Sequence, residues 1–175
     1  AVHTAEQDGA AIVLFVGQLP RKNLARGVFQ NIDYARLFGD IAKRVVEAND
    51  AEQLPSLVAD AFRLATDATP GPVVISIPED VIGEEIDGDR ADATSRPSAV
   101  PDPEAVLSVS ERLAAAERPL LLIGGHARSV RGRTALASCV ESWNVPVVTS
   151  YKHQDLFDND HPCFAGHLGF GLPPQ

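Results

Sequence analysis

The chain has 175 residues, of which 45% are hydrophobic and 22% are charged, as is usual for a globular protein. Fifteen basic against 24 acidic residues give a net charge of −9, which argues against a broad nucleic-acid-binding surface. No apolar run approaches the roughly 20 residues that cross a bilayer, and the two cysteines, Cys139 and Cys163, are too few for a disulfide framework. With no signal peptide in the sequence, these features predict a cytoplasmic protein without a membrane segment.

The first 80 residues follow a strand–helix pattern. The apolar run 11–16 predicts a buried strand whose C-terminal end leads into a loop, at the edge where open α/β sheets bind ligands. A short helix is predicted over 33–38 and a weaker strand over 42–46. Apolar residues spaced three and four apart predict a helix over 54–66. The first ten residues carry no start signal for an element.

The stretch around which this unit is organised is 73–77, Val-Val-Ile-Ser-Ile. Polar alternation is absent, which predicts a strand buried on both faces, as in a parallel sheet. Pro72 and Pro78 bound the strand because neither ring can donate to a ladder. The sheet would then have about three strands, fewer than is usual. We interpret it as part of a larger domain; the alternative is a small, complete three-stranded domain.

A second unit follows a polar linker over 83–100, rich in Gly, Pro, Asp and Ser. Asp102 and Pro103 suit the N-cap and first turn of a helix. Alternation of helices and strands then predicts a right-handed α/β unit. Its predicted elements are a helix over 105–117, a buried strand over 120–123, a helix over 130–143, a strand over 145–149 and an irregular tail from 155.

Both units are similar to one enzyme family. The first unit resembles the second half of the pyrimidine-binding domain of thiamine diphosphate enzymes, and the acetolactate synthase group most of all. The segments that carry this resemblance are VHTAEQDGAAIVLFVGQLPRKNLARGVFQNIDYARLF and LPSLVADAFRLATDATPGPVVISIPEDV. A resemblance to the central domain of that family follows in PDPEAV, RPLLLIGGHAR, WNVPVVTS and DHPCFAGHLGFG. No single motif is very specific, but their order along the chain is.

The resemblance implies an α/β fold of parallel sheets flanked by helices, with a partial pyrimidine-binding domain followed by a Rossmann-like central domain. The implied boundaries are 1–82 for the first domain, 83–100 for the linker and 101–175 for a truncated central domain. Because the family forms its active sites between subunits, the resemblance also implies a homodimer or homotetramer.

The family decarboxylates a 2-keto acid on thiamine diphosphate and transfers or releases the resulting carbanion, so the parent is expected to be a lyase or transferase. The family's catalytic glutamate would lie upstream of Ala1, and its diphosphate- and Mg²⁺-binding motif beyond Gln175. Residues 87–89, Asp-Gly-Asp, have the glycine in the wrong place for that motif. The resemblance therefore implies no catalytic residue, no bound cofactor and no activity in this chain alone.

Two loop residues match positions that line the active site in the family. Gln30, preceded by Phe29, corresponds to a glutamine that faces the active site across the subunit interface in the synthases. The alternative is that Gln30 only caps the turn before the 33–38 helix. The synthases usually have an acidic residue next, whereas this chain has Asn31, which weakens the case for acetolactate synthesis specifically.

A nucleotide could bind at the edge of the second sheet. Gly124 and Gly125 follow a strand, and with Thr149 and Ser150 they match the stretches that touch FAD in flavin-bearing synthases. Other family members bind ADP or nothing there. Residues 151–154, Tyr-Lys-His-Gln, replace a glycine-rich loop and leave little room for a flavin. We expect neither nucleotide, and the Gly pair is then a tight turn.

No metal site is predicted, and the polar tail is interpreted as a solvated loop. The residues considered were His153, Asp155, Asp158, Asp160, His161 and His167. Arg21, Lys22 and Arg26 are interpreted as a solvent or subunit-contact face. The competing function for the whole chain is a free-standing module that binds an adenine nucleotide or a subunit.

Overall fold

The computed structural model describes residues 1–87, 100–125 and 130–169. The chain divides into two compact units, Ala1–Ser98 and Ala99–Gln175. In the described residues each unit contains a three-stranded parallel sheet flanked by helices, which confirms the predicted fold class. None of the described helices combines the length and the apolar character that a membrane crossing needs.

The first unit contains four α-helices and three strands among its described residues. They are α1 Val2–Asp8, β1 Ile12–Gln18, a 3₁₀ turn Arg21–Arg26, α2 Tyr34–Phe38, β2 Arg44–Glu47, a 3₁₀ turn Ala51–Gln53, α3 Leu54–Thr66, β3 Pro72–Pro78 and α4 Glu79–Ile82. Helix α3 lies where the apolar periodicity predicts it. Helix α1 was missed because it has no side-chain N-cap and buries only Val2 and Ala5.

Strand β3 is the centre of the first sheet, which has the order β1-β3-β2. It pairs in parallel with both neighbours. Val73, Val74 and Ile75 are at most 1% exposed, so the predicted burial of both faces is confirmed. On one face, Val73 and Ile75 pack with Ala61 and Ala65 of α3 to form the core of the unit.

Strand β1 is an edge strand in the described sheet, although its apolar sequence predicts a strand buried on both faces. The prediction of burial is wrong for its middle, where Phe15 is 47% exposed. Because β1 has a neighbouring strand on one side only, the other flank of the Phe15 side chain has no strand beside it in the described sheet. Continuous apolar sequence therefore does not distinguish a central strand from an edge strand here.

The ammonium of Lys43 closes the C-terminal end of α3. Its Nζ atom donates hydrogen bonds to the carbonyl oxygens of Leu64 at 2.7 Å, Asp67 at 2.7 Å and Thr69 at 3.0 Å. These carbonyls belong to the last turn and the loop that leads to β3, where a helix leaves its acceptors unsatisfied. A cation is also favoured at the negative end of the helix dipole. Lys43 thus links the start of β2 to the connection between α3 and β3.

The second unit has a sheet of order β4-β5-β6. Its described elements are α5 Pro103–Ala115, β4 Leu121–Ile123, α6 Val130–Trp143, β5 Val147–Ser150, a 3₁₀ helix Tyr151–Leu156 and β6 Phe164–Leu168. Val140, Val147 and Phe157 form its buried core. The predicted irregular tail is wrong in part, because β6 pairs with β5 inside it.

Burial in the second unit also departs from the sequence pattern. The Asp102 carboxylate caps α5 by accepting from the Glu104 amide at 3.2 Å, as predicted. However, Val106 and Val109 on its apolar face are 50% and 58% exposed. In β4, predicted as buried, Leu122 is 58% exposed. Strand β4 is an edge strand of this sheet, and the face that carries Leu122 is poorly covered at this edge.

We predict that Lys43→Met lowers the free energy of unfolding of the first unit by about 1 kcal/mol, because three carbonyls lose a charged donor. Hydrogen exchange of the Gly71 amide, which donates to the Ala65 carbonyl, reports on this connection and should accelerate. Lys22→Met removes the same charge from the neighbouring loop and serves as the control. Equal protection in the two variants would contradict the proposed role of Lys43.

Candidate functional site

The C-terminal edge of the first sheet carries a loop that runs from Leu19 to Asp33, between β1 and α2. Gln18, the last residue of β1, holds both ends of this loop. Its side-chain Nε2 donates to the Ile32 carbonyl at 2.8 Å, and its Oε1 accepts from the Leu19 amide at 2.9 Å. Gln18 is only 5% exposed, so these bonds are shielded from water. The base of the loop is therefore fixed to the sheet.

Arg21 provides a second anchor for the loop. Its backbone N–H and its Nε donate to the two carboxylate oxygens of Asp80, at 3.0 and 2.9 Å, and its Nη1 donates to the Asn49 carbonyl at 2.7 Å. Its Nη2 also pairs with Glu84. Arg21 is exposed, and its partners lie after β2 and β3, which the sequence interpretation did not include. Sequence spacing gave no signal for a pair that is 59 residues apart.

This pairing shifts both titrations. The hydrogen bond from the Arg21 side chain, followed by the one from its backbone, lowers the pKa of the Asp80 carboxyl. The same hydrogen bond to Asp80 raises the pKa of Arg21. Both side chains are more than one third exposed, so solvent screens the pair. With its pKa lowered, Asp80 is anionic at neutral pH, and the two hydrogen bonds from Arg21 fix the position of the loop.

Phe29 and Gln30 lie at the tip of the loop, as the two central residues of a turn. The turn is closed by the Asn31 amide, which donates to the Val28 carbonyl at 3.2 Å. Phe29 is 87% exposed, and Gln30 has a φ of 67°, a left-handed conformation that favours glycine in such turns. Strained non-glycine residues occur at functional sites, where a side chain is needed despite its conformational cost.

The N-cap of α2 is Asp33, not Gln30. The Asp33 carboxylate accepts from the Arg36 amide at 3.0 Å. The side-chain amide of Gln30 has no hydrogen-bond partner within residues 1–87 or the other described ranges. Capping of the helix therefore does not explain why a glutamine lies at this turn.

The edge of the second sheet brings together two of the predicted nucleotide-binding segments. Strands β4 and β5 are neighbours, with Ile123 in register with Thr149, so Gly124 lies beside Ser150. A Cβ atom on Gly124 would lie 2.9 Å from the Ser150 Oγ, which is too close for a side chain. Gly125 has a φ of 70°. Local packing at the first position and the positive φ at the second thus favour glycine at both.

The hydroxyl groups at this edge differ in their surroundings. The Ser150 Oγ lies 2.8 Å from the Nδ1 of His153. The Thr149 Oγ1 is completely buried and has no hydrogen-bond partner among the described residues. A buried hydroxyl without a partner is uncommon and often indicates a missing ligand or water.

No group of three or more His, Cys, Asp or Glu side chains in the described ranges could hold a metal ion. In the tail, His161 has structural contacts instead. Its Nδ1 accepts from the Cys163 amide at 3.1 Å, and its Nε2 lies 3.4 Å from the Glu141 carboxylate. An acceptor role for Nδ1 assigns the proton to Nε2, which then donates to Glu141. His161 connects the tail to α6.

Comparison with known proteins identifies relatives for almost the whole chain. Residues 106–175 match the family model for the central domain of thiamine pyrophosphate enzymes. An acetolactate synthase large subunit from Parasynechococcus marenigrum is 32% identical over 96% of this chain and 28% of its own length. An acetolactate synthase from Arthrospira platensis is 31% identical, over 95% of this chain and 30% of its own length.

A relative named for a different reaction and a solved structure match at similar coverage of this chain. A glyoxylate carboligase from Escherichia coli O157:H7 is 30% identical over 97% of the chain and 29% of its own length. An X-ray structure from Mycobacterium smegmatis, assigned as a thiamin diphosphate-dependent enzyme, gives a TM-score of 0.79 at 27% identity and covers 96% of this chain and 33% of the other. The chain thus spans about 30% of the length of the curated relatives that it matches.

We predict that Asp80→Asn makes the stability of the first unit less dependent on pH in acid. A carboxyl with a lowered pKa stabilises the fold above its unfolded value of ~3.9, and this contribution is lost as the pH falls through the folded value. The raised pKa of Arg21 acts only in strong base. Urea unfolding between neutral pH and about pH 2 measures the slope.

Asp60→Asn is the matched control, since Asp60 pairs with Arg63 on the same helix. It should keep the wild-type acid slope. An identical acid slope for Asp80→Asn and the wild type would show that the pair with Arg21 does not stabilise the loop.

Proposed function

Because the chain belongs to the acetolactate synthase-like thiamine pyrophosphate enzymes, we propose that it is a part of an enzyme that decarboxylates a 2-keto acid and transfers or releases the carbanion. The related acetolactate synthases and glyoxylate carboligase support this reaction class. The observation that carries the proposal to particular residues is the turn at Phe29 and Gln30, which is exposed, strained and anchored at its base.

We assign residues 1–82 to the second half of the pyrimidine-binding domain, 83–100 to a linker and 101–175 to the central domain. The match of the family model to residues 106–175 supports the last of these assignments. In the assembled enzyme, a homodimer or homotetramer, the loop tip would face the active site of a second subunit. The 87% exposure of Phe29 supports this role, because an aromatic ring so exposed suits an interface.

Thiamine diphosphate, when bound, supplies the electron sink that makes decarboxylation of a 2-keto acid feasible. Gln30 contributes an uncharged amide that can donate to a carbonyl or carboxylate oxygen of the substrate. Its role is orientation, since an amide neither gains nor loses a proton near neutral pH. Phe29 excludes water from the same region, which strengthens electrostatic interactions there. Gln18 and Arg21 position both residues by fixing the base of the loop.

We assign the binding of the diphosphate and of Mg²⁺ to another part of the parent enzyme. Hard cations such as Mg²⁺ need oxygen ligands that converge on one point. The described ranges contain no such group of acidic or histidine side chains. Two acidic residues beside the start of the loop, Asp80 and Glu84, already pair with Arg21.

A bound adenine nucleotide at the second sheet is the alternative function, and one observation favours it. The Thr149 Oγ1 is buried without a described partner, beside Ser150 and the Gly124 turn. Against it, the 3₁₀ helix Tyr151–Leu156 begins directly after β5, and His153 already holds the Ser150 hydroxyl. We therefore expect neither FAD nor ADP to be bound by this chain.

We predict that Gln30→Ala and Gln30→Gly both lower kcat/KM of the parent enzyme for its 2-keto acid, by about 10- to 100-fold. The two variants separate the amide from the backbone conformation. Ala keeps the strain of a positive φ, whereas Gly relieves it and should leave the stability equal or about 1 kcal/mol higher. Steady-state kinetics with thermal unfolding measures both effects.

The control for this experiment is Lys22→Ala, an exposed change in the same loop that should leave the kinetics unchanged. Wild-type kinetics in both Gln30 variants would assign Gln30 to loop structure alone. A kinetic loss in Ala but not in Gly would assign the effect to the backbone rather than to the amide.

We further predict that the 175-residue chain binds thiamine diphosphate no better than about millimolar, with or without Mg²⁺, because its described residues offer no ligands for the metal–diphosphate group. Titration calorimetry with excess MgCl₂ and with EDTA measures the affinity, which we expect to be about equal in the two conditions. Micromolar binding that depends on Mg²⁺ would contradict the assignment of those ligands to another part of the parent.

A further inference from the structure

A cavity of about 570 Å³ lies beneath the loop, on the face of the first sheet opposite the α3 core. Its walls come from the loop, from α2 and from the C-terminal ends of β2 and β3. They include Asn31, Ile32, Tyr34, Val45, Glu47 and Ser76. This volume lies in the range of small-molecule sites, and its position is the edge at which open parallel sheets bind ligands.

The outer wall of the cavity is held in place by hydrogen bonds that use up its polar side chains. Gln18 binds the Ile32 carbonyl and the Leu19 amide, and the Tyr34 hydroxyl donates to the Gly17 carbonyl at 3.0 Å. The Nδ2 of Asn31 donates to the Leu24 carbonyl at 2.7 Å. These bonds make the cavity a preformed space, and they leave few polar groups available for a ligand.

On the sheet side of the cavity two adjacent polar groups remain available. Ser76 and Glu47 are paired in register across β3 and β2, so their side chains lie on the same face of the sheet. Ser76 is 1% exposed, and its Oγ has no hydrogen-bond partner in the described part of the chain. The Glu47 carboxylate forms no ion pair or side-chain hydrogen bond with any described residue. A buried hydroxyl beside a carboxylate suits a ligand that donates hydrogen bonds.

The charge of the residues that line the cavity determines which kind of hydrogen-bond donor the ligand can carry. Among the described residues that line the cavity, Asp33 and Glu47 are acidic and none is basic. One oxygen of Asp33 is used by the Arg36 amide. Apolar side chains such as Leu24, Ile32 and Val45 cover other parts of the wall. An anionic ligand would be repelled, whereas a cationic head with an apolar body would satisfy both parts of the lining.

We propose that this cavity is a binding site for a small molecule with an ammonium, amidinium or guanidinium head, held by the Glu47 carboxylate and the Ser76 hydroxyl. The head donates to both oxygens, and its apolar body packs under the loop against Ile32 and Val45. Because the loop that roofs the cavity carries Gln30 at its tip, a ligand here would also stabilise the loop. Binding in this cavity involves no step of the keto-acid reaction, so a loss of binding need not accompany a loss of the reaction.

Three probes of equal shape and different charge test the site: benzamidinium, benzamide and benzoate. Each is titrated into the uniformly ¹⁵N-labelled 175-residue chain while amide chemical shifts are recorded. We expect benzamidinium to bind with a dissociation constant on the order of 1 mM or tighter, to shift the amides of residues 31–35, 45–47 and 76, and to bind at least about tenfold tighter than benzoate. Shifts outside these segments, or equal binding of the three probes, would overturn the proposal.

Variants identify the two ligating groups. Glu47→Gln keeps the shape and removes the charge, and it should weaken benzamidinium binding about tenfold or more. Ser76→Ala should weaken it about threefold to tenfold without loss of the fold, because the hydroxyl it removes has no partner. Glu111→Gln, an exposed change in the second unit, is the control and should bind as the wild type does. Wild-type affinity in Glu47→Gln would show that this carboxylate does not hold the cation.

Discussion

Parallel pairing of β3 with both of its neighbours is the constraint on which the first unit depends. Gln18 lies opposite Pro78, and Glu47 lies opposite Ser76, so the strand register decides which side chains meet at the C-terminal edge. A shift of one residue would turn Ser76 away from the cavity and expose the apolar face of β3. The burial of Val73 and Ile75 against α3 excludes that shift.

The loop between β1 and α2 combines a rigid base with a strained tip. Gln18 and Arg21 hold its start, and Gln18 also holds its end through the Ile32 carbonyl. Such anchors can maintain a positive φ at Gln30, which an unsupported loop would relax. The arrangement holds Phe29 exposed on a fixed loop, so binding at this residue would not carry the entropy cost of ordering a flexible loop.

The two sheets differ in the space that is left at the C-terminal ends of their strands. In the first, the edge leaves room for a cavity of about 570 Å³ and for an uncommitted carboxylate beside Ser76. In the second, Gly124 lies against Ser150, and a 3₁₀ helix follows β5 at once. Parallel sheets of similar size can therefore leave a cavity or a closed edge, depending on the residues that follow each strand.

Local features of the sequence determined much of the secondary structure. The periodicity of 54–66, the bounding prolines of β3 and the Asp102 cap are interactions between residues close in the chain, so composition and spacing reveal them. Helix α1 and strand β6 were not predicted. Helix α1 buries only two residues, and β6 lies in the tail that was predicted to be irregular. The family resemblance pointed to Gln30 but not to its conformation.

The tertiary structure alone decided which residues share a site. Arg21 follows β1 and reaches Asp80 because β1 and β3 end side by side, and Glu47 lies beside Ser76 because β2 and β3 pair in that register. The edge positions of β1 and β4 could not be predicted either, since a continuous apolar sequence is compatible with both a central and an edge strand. Sequence periodicity reports on local geometry, whereas charge pairing, cavities and edge exposure arise from contacts between distant segments, which a single sequence does not encode in its spacing.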